Sequence, residues 1–265
     1  MPLGELGVYL AIGVVVGFFA GLLGIGGGII IVSSLALIFA ADGFAGPYVM
    51  HLAIGTSLAA MMVSSFASFR AHDRHDAVDW HVVRAMTPGL LAGVLAGALV
   101  ARFASTTFLK VFFLGFAAFV TAQMVLNVKP KPARTLPAPR ALALFGIFIG
   151  TVSSLFGGGA AAIGVPFLTW CNVTTHRAIG TVAAMGFPLA IAGTLAYAAA
   201  GWNVASLPPW SLGFVYLPAF IGISATSMLA APWGARLAHR MKGATLRRIF
   251  ALFLVAMGVK VAISV

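Results

Sequence analysis

Two stretches of this chain hold residue types able to bind an oxyanion without any charged side chain. The first is Gly24-Ile-Gly26-Gly27-Gly28, followed by His51-Leu-Ala-Ile-Gly55-Thr56-Ser57. The second is Gly157-Gly158-Gly159, followed by His176-Arg-Ala-Ile-Gly180-Thr181. A helix that starts just after a glycine cluster presents N–H groups with no intrahelical partner and a partial positive charge. An oxyanion binds at such an end. Glycine permits close backbone approach and torsions that other residues avoid. Thr and Ser hydroxyls supply further donors, and histidine can donate to an anion or pass a proton. The candidate substrate-binding residues are therefore Gly26, Gly27, Gly28, His51, Gly55, Thr56, Ser57, Gly157, Gly158, Gly159, His176, Gly180 and Thr181.

The elements that must position them read as helices. Thr174-Thr175 can N-cap the helix carrying His176, and Pro47 suits the first turn of the helix carrying His51. Each histidine then lies near a helix start, with its Gly-Thr pair one turn deeper on broadly the same side. Five apolar segments precede the linker, at about 6–23, 28–41, 49–69, 82–102 and 107–127. Five follow it, at about 141–156, 160–170, 176–200, 211–235 and 246–264. One helix over 6–41 would be roughly 54 Å long, too long for a hydrocarbon core of about 30 Å. A helix over 160–170 would reach only about 16 Å. Helices broken at glycine, or re-entrant hairpins, fit both pairs, and such backbone must be buried in protein or line a cavity.

Composition sets the medium. The chain is 61% hydrophobic and 8% charged, with a mean hydropathy of +1.06. Soluble domains carry about 25% charged residues. Its 265 residues accommodate roughly eight to ten helical segments in a bilayer. The net charge of +11 does not indicate nucleic acid, because the basic residues fall in short gaps between apolar runs. Lys129, Lys131, Arg134 and Arg140 form one group, and Arg236, Arg240, Lys242, Arg247 and Arg248 the other. That is the positive-inside pattern of cytoplasmic loops. The acids Glu5, Asp42, Asp73, Asp76 and Asp79 lie at or beyond the ends of apolar runs. A cation pathway normally needs carboxylates inside the membrane, so the chain suits an anion.

Other features read as structural. Cys171, the single cysteine, makes an intrachain disulfide impossible and reads as a packing residue. Gly89-x3-Gly93-x3-Gly97 reads as a helix-packing ridge, equally suited to intrachain contacts or a homodimer. Trp80, Trp202 and Trp210 read as interface anchors. Arg177, opposite Leu52, reads as a residue snorkelling to the headgroups. His72, Asp73, His75, Asp76 and Asp79 read as a solvated loop, so no metal or other cofactor is expected. The N-terminus lacks a basic n-region and predicts no cleavable signal peptide.

The organisation is a duplication: a first transmembrane repeat at 1–128, a basic proline-rich cytoplasmic linker at 129–140 and a second repeat at 141–265. Placing both basic groups in the cytoplasm makes the repeats inverted, with both termini outside; if each broken segment crosses once instead, the repeats have four spans and become parallel. The expected fold is an all-α polytopic membrane protein, and repeated apolar units broken at glycine point to a transporter with its site between the repeats. A passive anion channel would use the same features. An integral membrane enzyme would need a nucleophile–base or metal constellation, and the motifs offer none.

Gly17-x3-Gly21-Leu-Leu-Gly-Ile-Gly-Gly-Gly28, with its less perfect copy Gly150-x3-Ser154-Leu-Phe-Gly-Gly-Gly159-x6-Pro166 and the A-I-G-T stretches, resembles the sulfite exporter TauE/SafE family. The resemblance spans nearly the whole chain. It implies a multi-pass inner-membrane permease for sulfur-containing anions such as sulfite or sulfonates. Ser33 stands where that family usually has proline, and the second motif lacks a glycine near Ser154.

Overall fold

The computed structural model describes residues 3–23, 27–44, 46–126, 134–238 and 243–264. They form α1 (Leu3–Leu23), α2 (Gly28–Ala41), α3 (Val49–Asp73), α4 (Trp80–Phe103), α5 (Thr106–Val125), α6 (Pro139–Phe156), α7 (Ala160–Trp170), α8 (Thr175–Ala200), α9 (Leu217–Ala238) and α10 (Gly243–Ser264). One two-stranded hairpin, β1 (Ser211–Leu212) and β2 (Val215–Tyr216), precedes α9. Among the described residues, five helices are long and apolar enough to cross a membrane. The chain is an all-α, polytopic membrane protein, as its composition requires.

Local chemistry explains the ends. The Asp79 carboxylate accepts the N–H groups of His81 and Val82, and the Ser105 hydroxyl accepts that of Phe108. Pro139 occupies the first turn of α6, where a missing N–H costs nothing. Two expectations shift. The segment expected as a helix from 211 begins as the β-hairpin, because Gly213 takes a left-handed φ of +55° and turns the chain. His72 and Asp73, expected in a loop, form the last turn of α3.

Small residues set the packing. Gly89, Gly93 and Gly97 lie against Ala143, Ile147 and Thr151 in rising order, so α4 and α6 run parallel at close range. The expected ridge is thus used inside the chain. Gly13 and Gly17 meet Ile223, Thr226 and Ser227, so α1 and α9 run parallel too. By contrast, Leu58 meets Gly193, Ser65 meets Gly186 and His72 meets His176, so α3 and α8 run antiparallel. The two A-I-G-T segments therefore begin at opposite ends of the molecule.

Both glycine-broken pairs are hairpins that return to the face they came from. Tyr9 near the start of α1, Phe39 near the end of α2, and Phe44 just beyond it all contact the Tyr216 ring at 5.6–5.9 Å. At the other face, the Trp170 carbonyl ending α7 accepts the N–H of Arg134, just ahead of α6. The Arg134 guanidinium lies 4.9 Å over the Trp170 ring. Cys171 is buried there as a packing residue; burial raises its thiol pKa, with Arg134 pulling the other way. Arg70, Arg74, Arg84, Arg134, Arg140 and Arg177 are all exposed at this second face.

Candidate functional site

The glycine breaks meet in the middle of the molecule. Gly27 caps α2 with φ +70°, and Gly157, Gly158 and Gly159 take φ values of +83°, +129° and +89° between α6 and α7. The Ser153 carbonyl at the end of α6 accepts from both Gly157 N–H and Gly158 N–H, at 3.0 and 2.8 Å. This closes one helix and frees the chain to start the next. A Cβ on Gly28 would stand 2.7 Å from the Gly157 carbonyl oxygen. The fully buried Ser57 hydroxyl sits at the junction and can donate to the carbonyls of Gly28 (3.3 Å) and Gly157 (3.0 Å). Ser57 thus ties the first break to the second. Gly26 lies outside the described residues.

The helix starts at the two breaks have different surroundings. Neither has a side-chain cap. The first residues of α2 are buried, with Gly28 packed on Gly157 and Met61. The α7 start instead forms one wall of a cavity of about 60 Å³. Gly159, Ala160 and Ala161 contribute from that start. Met61, Ser64, Ser65 and Ser68 come from α3, and Ile179, Val182, Ala183 and Gly186 from α8. At roughly 10–15 Å³ per water-sized probe, this space holds a few waters or one small oxyanion. Ser65 donates to the Met61 carbonyl at 2.6 Å, and Ser64 to the same oxygen at 3.3 Å. Such i−3 and i−4 bonds are easily exchanged, because a hydroxyl rotates to the better acceptor. The lining carries the first turn of α7, whose first N–H groups lack intrahelical acceptors as at any helix start, with three hydroxyls and no carboxylate.

The remaining sequence candidates stand elsewhere. Gly55 packs on the Phe214 carbonyl, and Gly180 on the Ala77 carbonyl, each too close for a side chain. The Thr56 hydroxyl accepts the Tyr216 N–H at 2.9 Å, and the Thr181 hydroxyl accepts the Asp79 N–H at 2.9 Å. Thr181 also donates to the Arg177 carbonyl at 2.6 Å. Both Gly-Thr pairs thus grip the backbone entering the next helix of the opposite half, and neither threonine lines the cavity. His51 is buried, its Nε2–H donating to the Ala101 carbonyl at 2.8 Å, with Phe214 5.0 Å from its ring. His176 is exposed at the opposite end, beside His72. The two histidines serve no common site. Burial, together with the charges of His176 and His75, lowers the pKa of His72. Arg177 is exposed and lies 3.6 Å from the Asp79 carboxylate.

Sequence reading missed Ser64, Ser65 and Ser68. The signal was available: with Ser57 they form a hydroxyl stripe at helical spacing within an apolar span. Among the described residues no group of three or more His, Cys, Asp or Glu is arranged for a metal ion.

Comparison with known proteins follows the same lines. The family model described as "Sulfite exporter TauE/SafE" matches residues 9–261. A Haemophilus influenzae protein described as "Probable membrane transporter protein" is 33% identical over 94% of this chain and 95% of its own length. A Methanocaldococcus jannaschii protein of the same description is 26% identical over 84% of this chain and 80% of its own. One from Bacillus subtilis is 25% identical over 74% and 78%. No solved structure matches. The match across nearly the whole chain, on a polytopic helical architecture, makes this protein a multi-pass membrane transporter of the sulfite exporter TauE/SafE family.

Proposed function

We propose that the cavity at the α7 start binds a small sulfur oxyanion, sulfite or a compact sulfonate, and that the protein carries it across the membrane by alternating access. The observation that carries this reading is the pairing of an uncapped helix start with Ser64, Ser65 and Ser68 around one small cavity. The helix end attracts the charge, and the Ser64 and Ser65 hydroxyls, which now bond back to their own helix, turn with that of Ser68 to donate to the anion. Substrate size is limited by the wall of Met61, Val182 and Gly186.

In this reading residues 1–128 and 141–265 are inverted repeats joined by the linker 129–140. The antiparallel course of α3 and α8 and the two hairpins returning to opposite faces support it. The arginine-rich face is cytoplasmic under the positive-inside rule. Movement of one repeat against the other, about the junction held by Ser57, would open the cavity to each side in turn.

The test is transport in proteoliposomes against a panel of sulfite, sulfate, thiosulfate, taurine, sulfoacetate, acetate and chloride. Saturable counterflow of a sulfur oxyanion, not competed by chloride or acetate, is the expected result. Ohmic current in a planar bilayer would replace the carrier with a channel. Chemical turnover of a sulfur compound without net transport would replace it with an enzyme.

A further inference from the structure

The cavity has a neighbour that its own lining does not explain. Along α3 the lining residues are Met61, Ser64, Ser65 and Ser68, and the stripe through Met61, Ser65 and Ser68 continues to His72. Along α8 they are Gly186, Val182 and Ile179, and the next position is His176. Because the helices run antiparallel, the two stripes end together at the arginine-rich face. There the His72 and His176 rings stand edge to face with centroids 6.1 Å apart. His72 is half-buried and His176 exposed. Two imidazoles from opposite halves of the chain thus stand one helical turn outside a hydroxyl-lined cavity.

The surroundings leave this pair without a carboxylate partner among the described residues. Asp73 accepts the Trp80 indole N–H at 3.0 Å, and Asp79 faces Arg177 at 3.6 Å. Arg70 lies over the Phe66 ring, and Arg134 over Trp170. Arg74, His75, Asp76 and His81 are exposed on the turn after α3 and the first turn of α4. Burial, with the charges of His176 and His75, keeps His72 neutral to lower pH than a free imidazole. An anion lodged between the rings reverses that balance, since it favours the protonated form of both.

We infer that His72 and His176 form an outer anion station, taking up a proton as a small oxyanion enters the serine cavity from the basic face. The inference rests on the cavity being the transport site. It goes further by linking entry to protonation, at two residues that do not line the cavity. Each imidazole donates an N–H to the anion at the station, and the anion passes one turn inward to Ser68, Ser65 and the α7 start. The proton leaves again when the station empties.

The experiment uses the full chain in proteoliposomes with sulfite as probe, measuring entry from the arginine-rich face between about pH 5 and about pH 8. Sulfite changes its own charge in this range, so the readout is the ratio of wild-type to variant entry at each pH. For His72→Gln and His176→Gln the ratio is expected to rise about tenfold towards the acid end, through KM rather than kcat. For His81→Gln, exposed on α4 and off both stripes, the ratio stays flat. In parallel, imidazole titrations followed by NMR in detergent should show sulfite raising the titration of both histidines together. A flat ratio for the His72 and His176 variants overturns the station, even if Ser65→Ala and Ser68→Ala abolish transport and so uphold the cavity. Serine variants that transport like wild type overturn the cavity, whatever the histidines do. If wild-type protein moves no sulfite and sulfite leaves both titrations unchanged, both readings fall.

Discussion

Gly28 and Gly157 meet backbone to backbone, so close that a Cβ on Gly28 would stand 2.7 Å from the Gly157 carbonyl oxygen. They belong to different glycine breaks, and Ser57 bonds to the carbonyl of each. Two helix ends that would otherwise leave polar backbone exposed at membrane depth are thus buried against each other. This contact is what makes broken helices affordable in the middle of an apolar bundle.

Gly157→Ala should damage this junction twice. The new Cβ would collide with the Val32 side chain, and the backbone would hold a non-glycine residue at φ +83°. Strain at such a position costs about 1–3 kcal/mol, before the collision is counted. We expect a fall of several degrees in the melting temperature of the detergent-purified protein. A melting temperature equal to wild type would mean that the break is looser than its geometry implies.

Ser57→Ala is milder and more specific. It removes about 1 kcal/mol of hydrogen bonding and adds no bulk. If the junction acts as the pivot, exchange across the membrane slows while sulfite affinity changes little. The comparison is initial counterflow rate against binding affinity for the same preparation.

Much of this architecture can be read from residue order alone, and the reason is specific. The glycine clusters and the short run at 160–170 leave no room for two continuous spans, so breaks follow from length and bilayer thickness. The helical segments from 82, 107 and 141 are bounded by Asp79, Ser105 and Pro139, whose capping chemistry is local. The site was less legible. His-x3-Gly-Thr looked like one binding motif, yet its glycine and threonine grip backbone in the other half, and its two histidines lie at opposite faces. Nothing in the hexamer encodes which partner its hydroxyl meets, because Tyr216 and Asp79 are brought there by tertiary packing. Ser64, Ser65 and Ser68 resemble ordinary small residues until α7 is known to start beside them.

Thr56→Val and Thr181→Val test the other reading of that hexamer. Each would leave a backbone N–H, Tyr216 or Asp79, without its acceptor. A buried donor left unpaired costs about 1–3 kcal/mol. The expected result is a loss of stability in both variants with sulfite affinity retained in the protein that folds. A selective loss of affinity at full stability would return the threonines to the substrate site.

His72 should make stability depend on pH in a defined direction. Its folded-state pKa is lowered by burial and by the neighbouring histidines, so folding disfavours its proton. The stability it contributes is complete above the unfolded value of about 6.5. It is lost as pH falls below that value and through the lower folded pKa. The melting temperature should therefore decline on acidification, and less so in His72→Gln. Thermal scans across this range, compared between wild type and variant, check the sign; a steeper acid decline in the variant would contradict it.

Ser68→Ala should separate binding from folding most cleanly. Ser68 lines the cavity and has no hydrogen-bond partner among the described residues, so its removal leaves no partner unsatisfied. A hydroxyl that donates to an anion is worth about 1.5–3 kcal/mol, which is roughly ten- to a hundredfold in Kd. With sulfite near 100 times its Kd, wild-type protein gains about 2.7 kcal/mol. The same concentration should stabilise Ser68→Ala by clearly less, while the ligand-free melting temperatures of the two proteins coincide. Equal sulfite-induced shifts would exclude Ser68 from the site. A lowered ligand-free melting temperature would instead assign the hydroxyl to the packing of α3 against α7 and α8.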